Sequence, residues 1–374
     1  MERKRISGYL ACLISLAASC MASGPAASQW GGGGGGGAGR GDVDDLFATM
    51  ERLGISLPMS VAGRDPIRRH LAELSRERCD QQAIVDLGTA LDNAGYRREA
   101  AGAHVGFSAT CGGHAPSLRT AVNILLKLSD SASAVKVATD LIKLEPYSDN
   151  GYFLRAVAYE RGGSYQRAID DYVTAIELFG NKDRISSASY FAMARSYERL
   201  GRFCDAMVPI ETWVSLNPAR NDTSQTQAII SDYMKKGNCA LATGNEETFP
   251  VPRQHRQVTL PVSVNGTRGV FILDTGASFV ALKKTFAQKA AVQIDQDSAV
   301  RLHTANGITD GRMGRAVMIQ LRSLQAKDVP IVVEDDAKAA FGDGVDGLLG
   351  MSFLSRFKVT VDAQVVRIAS RKAK

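Results

Sequence analysis

Asp274 is the residue whose sequence setting most directly suggests chemistry. It follows the apolar run 271–273 and opens a turn that contains Thr275, Gly276 and Ser278. A carboxylate at the end of a buried strand costs free energy unless it is paired or hydrogen-bonded, and the hydroxyl and backbone N–H groups of this turn can supply those bonds. A carboxylate held in this way can act as a general acid or base toward water. The segment therefore predicts hydrolysis, with Asp274 as the catalytic group.

This chemistry needs a second carboxylate, because a carboxylate pair that hydrolyses a peptide shares one proton across a water. The chain contains a single Asp-Thr-Gly sequence. The other Asp-Gly pairs, at 310–311, 343–344 and 346–347, lack an apolar run joined to a Thr-Gly or Ser-Gly. We therefore expect the second carboxylate to come from another copy of the chain, in a homodimer.

The residues around Asp274 predict the strands that must position it. Segment 258–264 alternates apolar and polar residues, and Asn265 with Gly266 is a strong signal for a two-residue hairpin turn. Segment 270–273 then returns as the strand that carries Asp274. The loop is thus expected at the end of a β-hairpin.

Three further segments complete this region. The first is the predicted strand 300–304, which is followed by Ala305, Asn306 and Gly307. The second is the apolar segment that contains Leu348, Leu349 and Gly350, and the third is a closing hairpin at 357–361 and 364–369. Over residues 257–368, the three motifs and their order resemble the retropepsin-like (retroviral-type) aspartic peptidases in their bacterial single-lobe form. The resemblance implies an all-β acid-protease barrel over 250–374. It also implies that 305–307 is the tip of a flap over bound peptide, and that 348–350 brace the catalytic loop.

The resemblance further implies a mechanism. Two Asp274 carboxylates a few ångströms apart cannot both ionise, so one activates a water and the protonated one polarises the scissile carbonyl. Thr275 would hydrogen-bond across the dimer, Ser278 would orient the carboxylate, and Gly276 would leave room for the substrate backbone. The protein or peptide substrate would bind as an extended strand beneath the flap.

The middle of the chain contains a repeated pattern of small and aromatic residues. One copy comprises Tyr152, Ala156, Tyr159, Gly163, Tyr165, Ala168, Tyr172 and Ala175, and the next comprises Tyr190, Ala194, Tyr197, Gly201, Phe203 and Ala206. The pattern resembles tetratricopeptide repeats, in which small residues let two helices approach and aromatic residues fill the gaps. This resemblance implies an α-solenoid over roughly 70–245, capped by a helix at about 227–236. Such a solenoid binds a protein partner or acts as a spacer.

The first residues predict export. Arg3, Lys4 and Arg5 precede the short apolar segment 6–21, which is typical of a secretory signal. We assign 1–28 to this signal and 29–45, which is rich in glycine, to a disordered tether. The protein is then expected in the periplasm. Alternatively, Cys20 is the lipidated residue of an outer-membrane lipoprotein.

Cysteine usage and composition are consistent with export and argue against several other classes. Cys79 and Cys111 fall at neighbouring ends of one predicted helical hairpin and could form a disulfide, and Cys204 and Cys239 fall on one edge of the solenoid. No Cys or His spacing suggests a metal, and the sequence predicts no cofactor. The net charge of +6 is small, and the sequence contains no stripe of basic and aromatic residues of the kind expected for nucleic-acid binding. Neither domain contains a membrane span.

The sequence therefore predicts a multidomain α plus β protein, with an N-terminal α-solenoid of tetratricopeptide-like hairpins and a C-terminal single-lobe acid-protease barrel. The expected function is an exported aspartic endopeptidase whose repeats recruit a substrate or a partner protein. The alternative is a catalytically inactive envelope scaffold, which binds proteins through its repeats and dimerises through the β lobe.

Overall fold

The computed structural model describes residues 40–181, 184–239, 242–252, 257–304, 307–335, 341–362 and 364–370. The predicted signal at 1–28, most of the predicted tether, and the flap residues Ala305 and Asn306 lie outside these ranges. Within them, none of the helices has the length and apolar character needed to cross a membrane.

The N-terminal part is helical, and consecutive helices pack on one another. Its helices are α1 (Arg40–Arg52), α2 (Met59–Ala62), α3 (Ile67–Arg76), α4 (Gln81–Asn93), α5 (Arg97–Thr110), α6 (Ala115–Lys127), α7 (Ser131–Leu144), α8 (Asp149–Arg161), α9 (Tyr165–Leu178), α10 (Ser187–Arg199), α11 (Phe203–Leu216), α12 (Pro218–Asn221) and α13 (Ser224–Gly237). Short connections between helices of similar length give the stacked hairpins of a tetratricopeptide-like solenoid. This part of the predicted fold class is confirmed.

The repeated small and aromatic residues form the solenoid core, as their spacing predicts. Tyr172, Tyr190 and Tyr197 are among the largest fully buried side chains. Ala156 and Ala168, on the facing helices α8 and α9, are completely buried. Small residues at these sites allow the close helix contact that a larger side chain would prevent.

The helical part begins earlier than the sequence predicted. Helix α1 starts at Arg40, inside the stretch 29–45 assigned to the tether and well before residue 70. Leu46 and Met50 lie one helical turn apart, and both are buried in the core that α4 and α5 share. This apolar face explains why 40–52 docks as a helix.

Two disulfides fasten the helical part. Cys79 is bonded to Cys111, and Cys204 is bonded to Cys239. The first joins the segment before α4 to the end of α5, and the second joins α11 to the segment after α13. The second pairing, which the sequence had left open, ties α11 to the end of the helical part.

The C-terminal part is a β lobe with two short helices. Its elements are β1 (Glu247–Pro250), β2 (Thr259–Val264), β3 (Thr267–Leu273), β4 (Val280–Lys283), α14 (Lys284–Lys289), β5 (Gln293–Ile294), β6 (Val300–Thr304), β7 (Gly307–Leu321), β8 (Leu324–Glu334), β9 (Gly347–Leu349), α15 (Met351–Leu354), β10 (Phe357–Val361) and β11 (Val365–Ser370). The main sheet runs β2-β3-β9-β4-β8-β7, and β2 also pairs with β7. The sheet therefore closes on itself as the predicted barrel.

The boundary between the two parts also differs from the sequence prediction. Residues 247–250, which fall mostly between the predicted solenoid (70–245) and the predicted barrel (250–374), form β1, and β1 pairs antiparallel with β11 next to β10. Phe249 is 1% exposed in the lobe core. The buried phenylalanine and the ladder hydrogen bonds make this segment a strand.

The helical part packs directly on the β lobe. A single apolar cluster joins side chains of α8–α13 to Phe279, Val300, Leu302, Met313 and Val332 of the lobe. An ion pair between Asp205 of α11 and Arg315 of β7 lies beside this cluster. The solenoid thus contacts strands on the same side of the lobe as the Asp274 loop.

Candidate active site

Strands β3 and β9 fix the backbone at Asp274. They run parallel, with Leu273 opposite Leu349. The Asp274 N–H donates to the Leu349 carbonyl at 3.1 Å. Since Leu349 is completely buried, the core holds this strand end firmly, and the following residues turn away from the sheet.

The turn leaves the Asp274 carboxylate accessible. Asp274 Oδ1 accepts a hydrogen bond from the Gly276 N–H at 2.8 Å, which is an Asx-type turn. Asp274 is half-buried, and Thr275 and Gly276 are exposed. The Thr275 side chain is therefore available to a second copy of the chain.

The segment 348–350 supports the loop from behind. The Met351 N–H, directly after Gly350, donates to the Ala277 carbonyl at 2.8 Å. A Cβ built on Gly350 would lie 2.1 Å from the Phe279 carbonyl oxygen. Only glycine permits this approach, so the contact is consistent with the bracing role that the resemblance implied, and Leu348 lines the cleft in front of the loop.

The hairpin β6–β7 stands beside the loop. Its strands pair antiparallel up to Thr304 opposite Gly307, and the predicted tip residues Ala305 and Asn306 lie outside the described ranges. Leu302 and His303 of β6 line the same cleft as Asp274. The hairpin is thus placed where a flap would contact a bound peptide.

Ser278 is not placed as the resemblance implied. Its Oγ donates to Glu177 Oε1 of α9 at 2.7 Å, and both side chains are buried. The described contacts include no hydrogen bond from Ser278 to Asp274. The reason is tertiary: α9 packs against the lobe and places the Glu177 carboxylate within hydrogen-bond distance of the Ser278 hydroxyl, which gives that hydroxyl a charge-assisted acceptor other than Asp274. Ser278 therefore links the catalytic loop to the helical part.

This contact gives a first prediction. We expect Ser278→Ala to weaken the docking of α9 on the loop by about 1 to 3 kcal/mol, because Glu177 loses a hydrogen bond inside a buried contact. Hydrogen exchange of the amides at the end of α9 and in the loop would accelerate. Glu177→Gln, which keeps an oxygen that can accept from Ser278, should have a smaller effect. Unaltered exchange together with lower turnover would instead show that Ser278 acts on Asp274.

The cleft in front of Asp274 has a volume of about 600 Å³ and is built by both parts of the chain. The helical part contributes Glu177 and Leu216, and the lobe contributes the catalytic loop and strand residues that include Val332 and Glu334. The sequence analysis did not identify Glu177, because nothing local connects a helical carboxylate to a loop 101 positions away in the chain. Glu334 had a usable signal, since it follows an apolar run as Asp274 does.

The cleft is acidic. Among the described residues that line it, the ionisable side chains are Glu177, Asp274, Glu334 and His303, and none is a lysine or an arginine. Burial raises the pKa of Glu334 to about 7, and the nearby Lys283 opposes this shift only in part. Within the described ranges, no group of three or more His, Cys, Asp or Glu residues is placed to hold a metal ion.

Comparison with known proteins agrees with this geometry. Residues 260–356 match the family model described as "gag-polyprotein putative aspartyl protease". The match extends from β2 to just beyond α15 and includes the Asp274 loop, the β6–β7 hairpin and the 348–350 segment. The C-terminal lobe is retropepsin-like, and the helical part that precedes it is tetratricopeptide-like, as the sequence predicted.

Several individual proteins are similar to parts of the chain. Serine/threonine-protein phosphatase 5 of Rattus norvegicus is 30% identical over 133 residues, which are 36% of this chain and 26% of that protein. The chain thus spans about a quarter of the length of the curated relatives it matches. A retropepsin-like aspartic protease from Rickettsia conorii is 25% identical over 34% of this chain and 92% of its own, with a TM-score of 0.27. A tetratricopeptide repeat protein from Parabacteroides merdae is 14% identical over 52% and 74%, with a TM-score of 0.36.

Proposed function

We propose that this protein is an aspartic endopeptidase whose carboxylate pair forms when two copies bring their Asp274 loops together. The main observation for this proposal is that the accessible Asp274 side chain lines a cleft. The loop that holds it is fixed by the hydrogen bond to the Leu349 carbonyl and by the close approach of Gly350 to the Phe279 carbonyl. The match of residues 260–356 to an aspartyl protease family supports the same chemistry.

In this mechanism the two Asp274 carboxylates hold one proton between them, since two like charges at short range are not both tolerated. The ionised carboxylate takes a proton from water as that water attacks the scissile carbonyl. The protonated carboxyl donates its proton to the carbonyl oxygen, which gives a tetrahedral diol. As the C–N bond breaks, the first carboxyl passes the water-derived proton to the leaving amine, and the second carboxylate recovers a proton from the diol. The Gly276 N–H, which donates to Asp274 Oδ1 at 2.8 Å, keeps the carboxylate oriented in each copy.

The cleft suits an extended peptide. Hairpin β6–β7 lies beside it, with Leu302 and His303 facing the space in front of Asp274. A peptide that binds as a strand beneath this hairpin would expose alternate side chains to opposite walls of the cleft. One of these walls is helical, so the repeats can contribute to substrate recognition directly as well as by recruiting a partner protein.

The homodimer gives a prediction that separates it from a second carboxylate within one chain. If the pair forms only between copies, specific activity should fall as the protein is diluted below the Kd of the dimer, because the monomer holds half of the machinery. Peptide cleavage and sedimentation velocity over the same concentration series would test this. Full activity in a species that sediments as a monomer would contradict the homodimer.

Export belongs to the proposal too. Disulfides persist in oxidising compartments and are rare in the cytosol, so the two disulfides of this chain support a periplasmic location. The alternative of an inactive scaffold makes the opposite prediction in the same assay, namely that no peptide is cleaved at any protein concentration.

A further inference from the structure

Glu334 is a buried carboxylate that receives no hydrogen bond from the part of the chain that the structure describes. It ends β8, is 1% exposed, and neither of its carboxylate oxygens has a hydrogen-bond partner in the described structure. Leaving a carboxylate buried and unpaired is costly, and in most proteins such a group is paired or binds a ligand. The fold therefore retains at this position a group whose burial costs free energy.

The neighbouring strands do not satisfy this carboxylate. On one side Glu334 is opposite Lys283 of β4, and on the other it is opposite Gly311 of β7. The Lys283 ammonium is directed elsewhere, because its Nζ donates to the Gly342 carbonyl at 3.0 Å. Lys283 thus lowers the electrostatic cost of Glu334 without forming a hydrogen bond to it.

Glu334 lines the cleft that contains Asp274. Since the described lining residues include no lysine or arginine, a cation that enters the cleft meets several carboxylates along the described walls, while Lys283 beside Glu334 is bonded to the Gly342 carbonyl. The walls near Glu334 are apolar, with Val332 and Phe341 among them. Such walls suit the aliphatic stem of a long basic side chain, whose charged end would then reach the carboxylate.

We infer that Glu334 is a specificity-determining residue that binds a lysine or arginine side chain of the peptide substrate. The inference rests on the proposed peptidase function and adds the substrate class, namely peptides with a basic residue close to the cleaved bond. A guanidinium or ammonium would supply the hydrogen bonds that both Glu334 oxygens lack, and the low polarity of the wall would strengthen the pair.

The test compares two peptides that differ in one charge. Mass-spectrometric profiling of a peptide library with the full-length protein identifies a well-cleaved sequence, which is then made with arginine or with its neutral isostere citrulline. We expect kcat/KM to favour the arginine peptide by at least about tenfold, as for a charge-assisted pair. Glu334→Gln should reduce this ratio to about one. A ratio near one for the wild-type protein, or a ratio that survives Glu334→Gln, would overturn the inference.

Asp170→Asn provides the matched control. Asp170 of α9 is another buried carboxyl, and burial raises its pKa to about 7, as for Glu334. It does not line the cleft, and Asn keeps an oxygen that can accept from the neighbouring Gln166. This variant should keep the wild-type arginine to citrulline ratio of kcat/KM. A loss of selectivity that occurs in Glu334→Gln but not in Asp170→Asn is then specific to Glu334 and is not a general effect of removing a buried charge.

A binding measurement separates this inference from the proposed function. If the wild-type protein cleaves no peptide, the peptidase proposal fails, and calorimetry of the wild-type protein with a peptide that the same library shows to bind, made with arginine or with citrulline, then decides the role of Glu334. Tighter binding of the arginine peptide, lost when Glu334→Gln is added, would support the inference. Equal Kd values for the two peptides would overturn it.

The pH dependence of the arginine to citrulline ratio provides a further readout that a structural role would not alter. Because the pKa of Glu334 is raised to about 7, the carboxyl is mostly neutral below that pH and pairs with a cation mainly above it. The ratio should therefore increase between about pH 6 and pH 8. Other ionisable groups lie around Glu334. On the neighbouring strands these are Lys283 and Asp335, and Asp335 forms ion pairs with Lys284 and Arg312. In the cleft they are Asp274, Glu177 and His303. These groups act on both peptides alike, so their contributions largely cancel in the ratio. A ratio that is flat with pH would count against Glu334.

Discussion

Asp274→Asn should abolish peptide cleavage, with kcat falling by at least about 1000-fold, because the proposed homodimer would lose both acid-base groups in a single substitution. Asn has almost the same volume as Asp, and its side-chain oxygen can still accept the hydrogen bond from the Gly276 N–H. We therefore expect the variant to fold and to dimerise like the wild-type protein. The measurement is turnover of a defined peptide, with sedimentation velocity of the same samples.

Asp343→Asn is the control for this experiment. Asp343 is exposed and also precedes a glycine, but it does not line the cleft. Its replacement should leave turnover within about twofold of wild type, as expected for an exposed site. Residual activity of Asp274→Asn at a similar level would remove Asp274 from the mechanism and leave the lobe as a peptide-binding or dimerisation module.

Gly350→Ala should have the largest effect on stability. The new Cβ would lie 2.1 Å from the Phe279 carbonyl oxygen and 2.8 Å from the Ala277 carbonyl oxygen. Both are backbone atoms, so no side chain can rotate away, and the loop itself must move. We expect the free energy of unfolding of the β lobe to fall by at least about 2 kcal/mol. Peptide cleavage should be lost with it, because the same backbone positions Asp274.

Hydrogen exchange of amides in β3 and β9 would measure this loss separately from the helical part, whose unfolding need not coincide. Gly180→Ala is the matched control, since a Cβ on Gly180 meets no atom within 4 Å. It should alter the free energy of unfolding by less than about 0.5 kcal/mol. If the amides of β3 and β9 in Gly350→Ala exchanged at the same rates as in the wild-type protein, the loop would tolerate the displacement, and the bracing contact would be unimportant.

The parts of the site that follow from local chemistry could be predicted from the sequence. Asn265 and Gly266 both adopt positive φ, 49° and 87°, so the turn before β3 has the conformation that this residue pair favours. The apolar run before Asp274 became a strand with a buried core face. The repeat pattern likewise identified Tyr172 and Tyr190 as core, because periodic burial on a helix is written in the spacing of its residues.

Other features depended on how distant segments meet, which no local pattern encodes. Ser278 could be expected to support Asp274, yet the tertiary structure gives its hydroxyl to Glu177, because α9 docks against the lobe. The docking is decided by the complementary apolar surfaces of helices and strands, including Phe279 and Val332.

The sequence by itself thus determined the conformation of the Asp274 loop, its hairpin and the helical repeats, since turn chemistry and periodicity act over a few residues. Only the tertiary structure decided that the repeats form one wall of the Asp274 cleft, and that Glu334 lies in this cleft without a hydrogen-bond partner among the described residues. The physical reason is that burial and hydrogen-bond satisfaction depend on all segments that surround a group. For Glu334 these include β4 and β7, and their arrangement exists only after the barrel has closed.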